Sequence, residues 1–187
     1  MELTKTSYLL LGMLHLGRRT GYEIKGLVDV STRFFWAASY GQIYPELRRL
    51  EKLGLVTGER DDSNGRRRKA YELTAEGRTA LRQWLTSDQP LHLELRDEGM
   101  LRLFFSDGLD AEERAMLWRK LGRTHGDIHD RLTEHRPGAV AAAEERGYRM
   151  PLDVLDFGVA FTGFVRDWCE QMEARTAEPP ARSGGRS

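Results

Sequence analysis

The chain has 187 residues, 40% of them hydrophobic and 31% charged, and its 29 Lys/Arg balance 29 Asp/Glu to a formal net charge of zero. That length holds one large domain or two small ones; no apolar run approaches the ~18–20 residues that span a bilayer, and no basic start leads into a small-residue cleavage site, so the expectation is a cytoplasmic protein that makes no membrane contact. A single cysteine, Cys169, excludes an internal disulfide framework and suits a reducing compartment.

Residues 4–16 predict a first helix with Leu9, Leu10, Met13 and Leu14 inward, closed by Gly17. A polar turn, Arg18-Arg19-Thr20-Gly21, leads to a second short helix over Tyr22–Val30. Phe34-Phe35-Trp36 follows and is expected to plug the core, because large rings dominate burial in a small domain.

The next helix carries the chemistry. Ser39 with Gln42 three residues on fits a capping box. Ile43, Leu47, Leu50 and Leu53 recur at helical spacing and form an inner stripe, and Gly54 supplies the stop. Gly41, Pro45, Arg48 and Lys52 fall on the opposite side, with Tyr44 and Arg49 flanking it. Pro45 is expected within the first turn or so, since a proline ring opposes the carbonyl four residues back. Small residues let a helix start approach a duplex closely, Arg reaches guanine edges with two hydrogen bonds, and Lys and Tyr hold phosphate.

Leu55–Arg60 and Lys69–Leu73 predict a hairpin with Val56, Tyr71 and Leu73 on its inner face and Asn64-Gly65 at a tight turn. Arg66, Arg67, Arg68 and Lys69 follow that turn, and gathering four cations is costly without an anion nearby. A groove-sized helix followed by a basic two-stranded wing is the sequence form of a winged-helix reader of double-stranded DNA. Thr74 caps a fourth helix over Ala75–Leu85, with Leu81, Trp84 and Leu85 inward. Charge divides accordingly: residues 1–85 hold 15 Lys/Arg and 10 Asp/Glu, and the remainder holds 14 and 19.

In the second half, Thr86–Pro90 is a polar linker. Leu95–Phe105 predict a helix whose Met100, Leu101, Leu103, Phe104 and Phe105 make a dense apolar surface. Asp110 with Glu113 starts another, running to about Arg136 with Leu117, Leu121, Ile128 and Leu132 on one face. Pro137-Gly138 are expected to break it, leaving a short Ala-rich helix interrupted at Gly147. The last helix, Leu152 to about Arg175, repeats Val154, Phe157, Gly158, Phe161, Val165, Trp168 and Met172 at spacings of three and four. A rod of about 35 Å at ~1.5 Å per residue needs a surface to cover that stripe, either its own chain's helices or a second copy. Residues 176–187, rich in Pro, Gly, Ser and Arg, are expected to be a disordered tail.

The chain resembles the PadR family of transcriptional regulators in its longer form. The resemblance is carried by TSYLLLGML near the start, GYEIK at 21–25, GQIYPELRRLEKLGLV at 41–56, GRRRKAYELTAEG at 65–77 and LELRDEGMLRLFF at 93–105. It implies a mainly α protein: a winged helix-turn-helix domain (three helices, two-stranded wing, fourth helix) at 1–85, a linker at 86–90 and a helical dimerisation or effector domain at 91–175. It implies DNA contacts from Gln42, Tyr44, Arg48, Arg49 and Lys52 on the reading helix and from Arg66, Arg67, Arg68 and Lys69 on the wing. It also favours a homodimer joined through Phe157, Phe161, Val165, Trp168 and Met172. The family implication is a regulator, usually a repressor, that binds an inverted repeat and often answers a small molecule.

Trp118 and Trp168 are the better candidates to line a site for a small aromatic or hydrophobic effector, core packing being the default for each. His125 and His129 have a spacing that can hold a metal, but a third ligand is not obvious, so neither a metal nor a cofactor is expected. Cys169 is expected to act as a small apolar residue rather than a redox sensor. No phosphate loop or nucleophile–base motif emerges, so the chain is not expected to be an enzyme. The rival readings are a winged helix that binds an acidic protein, an enzyme using Cys169, and a MarR-like regulator, whose long helices lie on both sides of the winged domain.

Overall fold

The computed structural model describes residues 2–61, 68–91 and 95–177. The chain forms two compact units, Met1–Leu91 and His92–Ser187. The first holds helices α1 (Lys5–His15), α2 (Gly21–Val30) and α3 (Tyr40–Lys52), strands β1 (Val56–Asp61) and β2 (Arg68–Leu73), and helix α4 (Ala75–Leu85). The second is helical: α5 (Glu98–Phe104), α6 (Ala111–Arg146) and α7 (Met150–Ala177). The architecture is the expected one, mainly α, with a two-stranded wing after the third helix.

In the first unit, Leu10, Leu11, Ile24, Val28, Ile43, Leu47 and Leu50 are wholly buried and form the core. Leu11 belongs to that core and Leu9 only to its margin, the reverse of the expected order. The cause is that α1 touches α2, α3, α4 and β2, so it is covered over a wider arc than one stripe. Phe35 and Trp36 are not a core plug. Both are exposed, Phe34 is half-buried, and Ala38 is the residue that enters the core. The aliphatic residues of α1–α3 already fill the interior, and Phe34 and Phe35 pack edge to face on each other, centroids 4.7 Å apart.

Helix α3 begins at the expected capping box, where the Ser39 N–H donates to Gln42 Oε1 at 2.9 Å. Pro45 falls in the second turn rather than the first. The helix closes on Gly54 at φ +71°, where the Gly54 N–H reaches the Glu51 carbonyl and the Leu55 N–H the Leu50 carbonyl, both at 3.0 Å. That closure turns the chain straight into β1. The strands pair antiparallel from Val56 opposite Leu73 to Asp61 opposite Arg68. Val56 and Tyr71 are buried, and Leu73 packs against the core. The base of β2 is also fastened on its other edge: Thr20 bridges Ala70, and the Tyr71 N–H donates to the Arg19 carbonyl at 2.7 Å. The expected turn at Asn64-Gly65, with Arg66 and Arg67, lies outside the described residues. In α4, Trp84 stacks on Tyr8 with centroids 4.7 Å apart, while Leu85 is exposed rather than inward. The inner stripe ends on the indole, which reaches α1, and not on the terminal leucine.

In the second unit, Asp97 caps α5, so this helix starts later than Leu95. Helix α6 starts at the capping box of Asp110 and Glu113, as expected, but runs unbroken through Pro137-Gly138 to Gly147. An internal proline costs about 3 kcal/mol. Here packing on α7 holds both sides of it: Leu132 is buried one turn before, Val140 is partly covered after, and Arg136 pairs with Asp156 at 2.7 Å. The pairs Arg119–Glu173 and Arg136–Asp156 show that α6 and α7 run antiparallel. Their shared seam buries Leu121, Leu132, Leu155, Thr162 and Cys169. Helix α7 reaches Ala177, slightly into the segment expected as tail; residues 178–187 lie outside the described residues.

Candidate nucleic-acid interface

The wing and α3 frame a cleft of about 510 Å³ on the first unit. Thr20, Gly21 and Tyr22 line it from the start of α2, Tyr44, Arg48, Glu51 and Lys52 from the outer face of α3, and Lys69 and Tyr71 from β2. Helical periodicity produces this arrangement: the residues that bury Ile43, Leu47 and Leu50 necessarily turn 44, 48, 51 and 52 toward the wing. Tyr44, Arg48 and Lys52 are exposed there. A side chain at position 21 would meet the Tyr44 ring, its Cβ lying 2.6 Å from Tyr44 Cε1, so glycine lets that ring lie flat against α2. On its other side Tyr44 stacks on Tyr40, centroids 5.9 Å apart.

The turn that carries Thr20 and Gly21 is held by charge and capping together. Burial tends to raise the Glu23 carboxyl, but hydrogen bonds from the Thr20 backbone and hydroxyl and from the Arg19 backbone bring it below its usual range. Glu23 therefore stays ionised as the cap of α2, and Arg19 pairs with Glu72 on the wing strand. Burial raises the Tyr71 phenol, with the nearby Lys69 opposing it.

The expected contact residues separate into distinct roles. Arg48 and Lys52 point into the cleft and Tyr44 walls it. Gln42 is exposed at the helix start, its carboxamide oxygen taken by the cap. Arg49 is the correction. Its guanidinium lies 2.7 Å from Glu46 Oε1, and it reaches Ser7 Oγ at 3.4 Å and the Glu2 carbonyl at 3.0 Å. Seven residues is nearly two helical turns, so Arg49 follows Gln42 around the axis toward α1 and away from the cleft. Lys69 is held by Glu51, Nζ to Oε2 at 2.7 Å. Arg66, Arg67 and the Arg68 side chain lie outside the described residues. Tyr22 and Glu51 are cleft residues that sequence reasoning missed. The position of Glu51, one turn beyond Leu47 and beside Lys52, was the available signal.

On α7, the stripe expected to join two copies is only partly free. Phe157 is 63% exposed, whereas Phe161, Val165, Trp168 and Met172 are half-buried against their own chain. Phe164, 66% exposed, was missed; it continues the series Val154, Phe157, Phe161 at helical spacing. Trp118 and Trp168 meet edge to face, centroids 5.1 Å apart, each partly exposed. His125 Nε2 lies 3.3 Å from Asp97 Oδ2, and His129 Nδ1 lies 3.1 Å from Asp130 Oδ1, so the two rings turn to different carboxylates. Among the described residues, no group of three or more His, Cys, Asp or Glu is placed to hold a metal ion. No helix among them is long and apolar enough to cross a membrane. Cys169 is buried, and desolvation, with Asp97 and Glu170 nearby, pushes its thiol up to about 11.

Both units have counterparts in known proteins. Residues 10–83 match the family model described as transcriptional regulator PadR-like, and residues 95–176 match the model described as virulence activator alpha C-term. The chain is 32% identical over 154 residues, 81% of each sequence, to the negative transcriptional regulator PadR of Bacillus subtilis. It is similar to the crystal structure of Bacillus subtilis PadR in complex with operator DNA, at 25% identity and a TM-score of 0.80 over 94% of this chain and 99% of that one. It is also similar to the structure of the same protein in complex with p-coumaric acid, at 26% identity and a TM-score of 0.71 over 95% and 100%. The order of units, with the long helices following the wing, departs from a MarR-like arrangement and agrees with these relatives. With an outward helix beside a two-stranded wing, a helical unit following it in the chain, and matches across both, the chain belongs to the PadR-like family of transcriptional regulators.

Proposed function

We propose that the chain represses transcription by binding an inverted-repeat operator in double-stranded DNA as a homodimer, and that a small aromatic or hydrophobic molecule releases it. One observation carries the reading: Arg48, Lys52 and Tyr44 face outward into a cleft between α3 and the wing. Arg48 is assigned to base edges in the major groove and Tyr44 and Lys52 to phosphate, with Gln42 at the helix start. Arg66, Arg67 and Arg68 are assigned to phosphate or the minor groove along the wing. Arg49 is assigned to holding α3 on α1. We assign residues 1–85 to DNA, 86–90 to a linker and 91–175 to dimerisation and effector response.

A homodimer presents two reading helices. About 34–36 Å between them would match successive major grooves on one face of the duplex. The exposed Phe157 and Phe164 on α7 support a second copy as their cover. Repression is favoured over activation because the 32%-identical relative, matched across both units, is a negative regulator. An effector is supported by the relative solved with p-coumaric acid; the partly exposed Trp118–Trp168 pair is the assigned aromatic surface. The function is read as binding without catalysis, carried out in the cytoplasm.

Selection of bound duplexes from a random pool tests the reading. The expected result is a two-fold symmetric sequence with half-sites one helical turn, or a multiple of it, apart. Recovery of unselected sequences at every salt concentration would remove sequence-specific regulation.

A further inference from the structure

Glu51 stands on the face that meets DNA, yet it carries the wrong charge for phosphate. It lies on α3 between Arg48 and Lys52 and lines the same cleft. Its Oε2 accepts from Lys69 Nζ on β2 at 2.7 Å, and that ammonium also sits 5.5 Å from the centre of the Tyr71 ring. The lysine reaches Glu51 across Gly58 of β1. A side chain at 58 would collide with Lys69 Cε and bring its Cβ within 2.8 Å of Glu51 Oε1. Three elements therefore converge on one ion pair: the reading helix supplies the carboxylate, one strand the cation, and the other strand an open slot.

A half-exposed pair of this kind adds little to folding stability. Its consequence lies in the charge it removes. With Glu51 in place, Lys69 is spent inside the protein and contributes no net attraction to phosphate. The carboxylate itself weighs most against complexes held by phosphate contact alone, where charge supplies essentially all of the attraction. Only a duplex that offers Arg48 its proper base edges recovers the loss. Specificity is a difference of affinities, and a repulsive group that weakens phosphate-only binding more than binding seated on base edges enlarges that difference.

We propose that Glu51 is a specificity-determining residue: it holds Lys69 against the reading helix through the Gly58 slot, fixing the base of the wing and withholding one cation from non-specific phosphate binding. The inference rests on the DNA-binding reading above.

The test compares full-length wild type, Glu51→Gln and the double variant Glu51→Gln/Lys69→Gln. Binding is measured across a salt series to a duplex enriched from the random pool and to a scrambled duplex, with thermal unfolding of each variant alongside. Glu51→Gln keeps the shape and removes the charge. It should bind the scrambled duplex more tightly, steepen the salt dependence by ~0.9 log unit per log salt, and lower the ratio of enriched to scrambled affinity. The double variant, with wild-type net charge, should return to the wild-type slope but keep the lowered ratio. A structural role alone would lower the melting temperature and weaken both duplexes without steepening the slope, and that result overturns the inference. So does an unchanged ratio in both variants. If wild type retains neither duplex even in dilute buffer, the DNA-binding reading fails and takes this inference with it. If wild type binds the enriched duplex while the slope of Glu51→Gln stays put, the inference fails alone.

Discussion

Gly77 faces the carbonyl oxygen of Leu55 so closely that a Cβ built on it would overlap that oxygen. The same carbonyl accepts the Thr74 N–H at 3.1 Å, and Thr74 caps α4 by accepting the Gly77 N–H at 3.0 Å. The start of α4 is thus locked onto the turn between α3 and β1 through one backbone oxygen. This is a physical reason for glycine in the stretch Tyr71-Glu72-Leu73-Thr74-Ala75-Glu76-Gly77. Gly77→Ala is expected to destabilise the winged unit by about 1–3 kcal/mol, because a backbone carbonyl cannot swing aside as a side chain can. Gly12→Ala is the control. Nothing lies within 4 Å of a Cβ there, so it should be neutral or stabilising by about 0.5–1 kcal/mol. Denaturant unfolding of both variants checks the contrast.

Arg48 and Arg49 are adjacent in sequence and should behave oppositely. Arg48→Ala is expected to relax base preference at one position in each half-site, at a cost of about 1–3 kcal/mol there. Arg49→Ala should leave the selected sequence unchanged and destabilise the fold by about 1–3 kcal/mol, since Glu46 would lose its cation beside the buried Ser7. Identical selected sequences from wild type and Arg48→Ala would remove Arg48 as a base reader.

Replacing Arg66, Arg67 and Arg68 together with Ala is expected to weaken binding to all duplexes and to flatten the salt dependence by up to ~0.9 log unit for each phosphate released. Base preference should survive. A slope equal to that of wild type would show that the wing does not hold phosphate.

Phe157→Ser with Phe164→Ser is expected to convert a homodimer to monomer in sedimentation velocity while leaving helix content intact. The α6–α7 seam is made by other residues, Leu155, Thr162 and Cys169 among them. DNA affinity should fall in the same variant, because the two half-sites would then bind independently. A dimer of unchanged stability would move the interface elsewhere.

Cys169 should resist alkylation in the folded chain and react on unfolding. Burial moves its thiol from an ordinary 9.0 to about 11. The folded state thus keeps a proton that the unfolded state gives up. Its stabilising contribution is complete below pH 9 and is lost as pH rises toward 11. Cys169→Ser should bind DNA as wild type does, with or without oxidant. Rapid modification of the native chain at neutral pH would contradict the burial.

The reading helix and the strand pair were legible because local signals agreed there. A capping box, a stripe at Ile43, Leu47 and Leu50 and a stop glycine all pointed to one helix, and alternation placed Val56 and Tyr71 inward. Phe35 and Trp36 were misjudged because residue size says what burial would yield, not whether space remains. The break expected at Pro137 ignored the neighbour: α7 packs along both sides of the proline and offsets its cost. The facing of Arg49 was misplaced and Phe164 was overlooked for a shared reason. Each lies at the margin of a helical face, where one position is 100° of rotation, and only the packed partner decides which side of the margin counts. The Glu51–Lys69 pair could not be read at all, since it joins residues 18 apart, on a helix and a strand, through a gap in a third element, β1.

The fastening of β2 to the turn before α2, through the Thr20–Ala70 bridge and the Tyr71–Arg19 hydrogen bond, leaves the walls of the cleft without independent play. Reading helix, wing base and α2 travel as one rigid tool. An operator whose halves are misplaced by a base pair finds little slack at this fastening, and the strain must be taken up elsewhere in the protein or by bending of the duplex. Tolerance for spacing errors is therefore set outside the wing base and by the stiffness of the DNA, not by the hand that holds it.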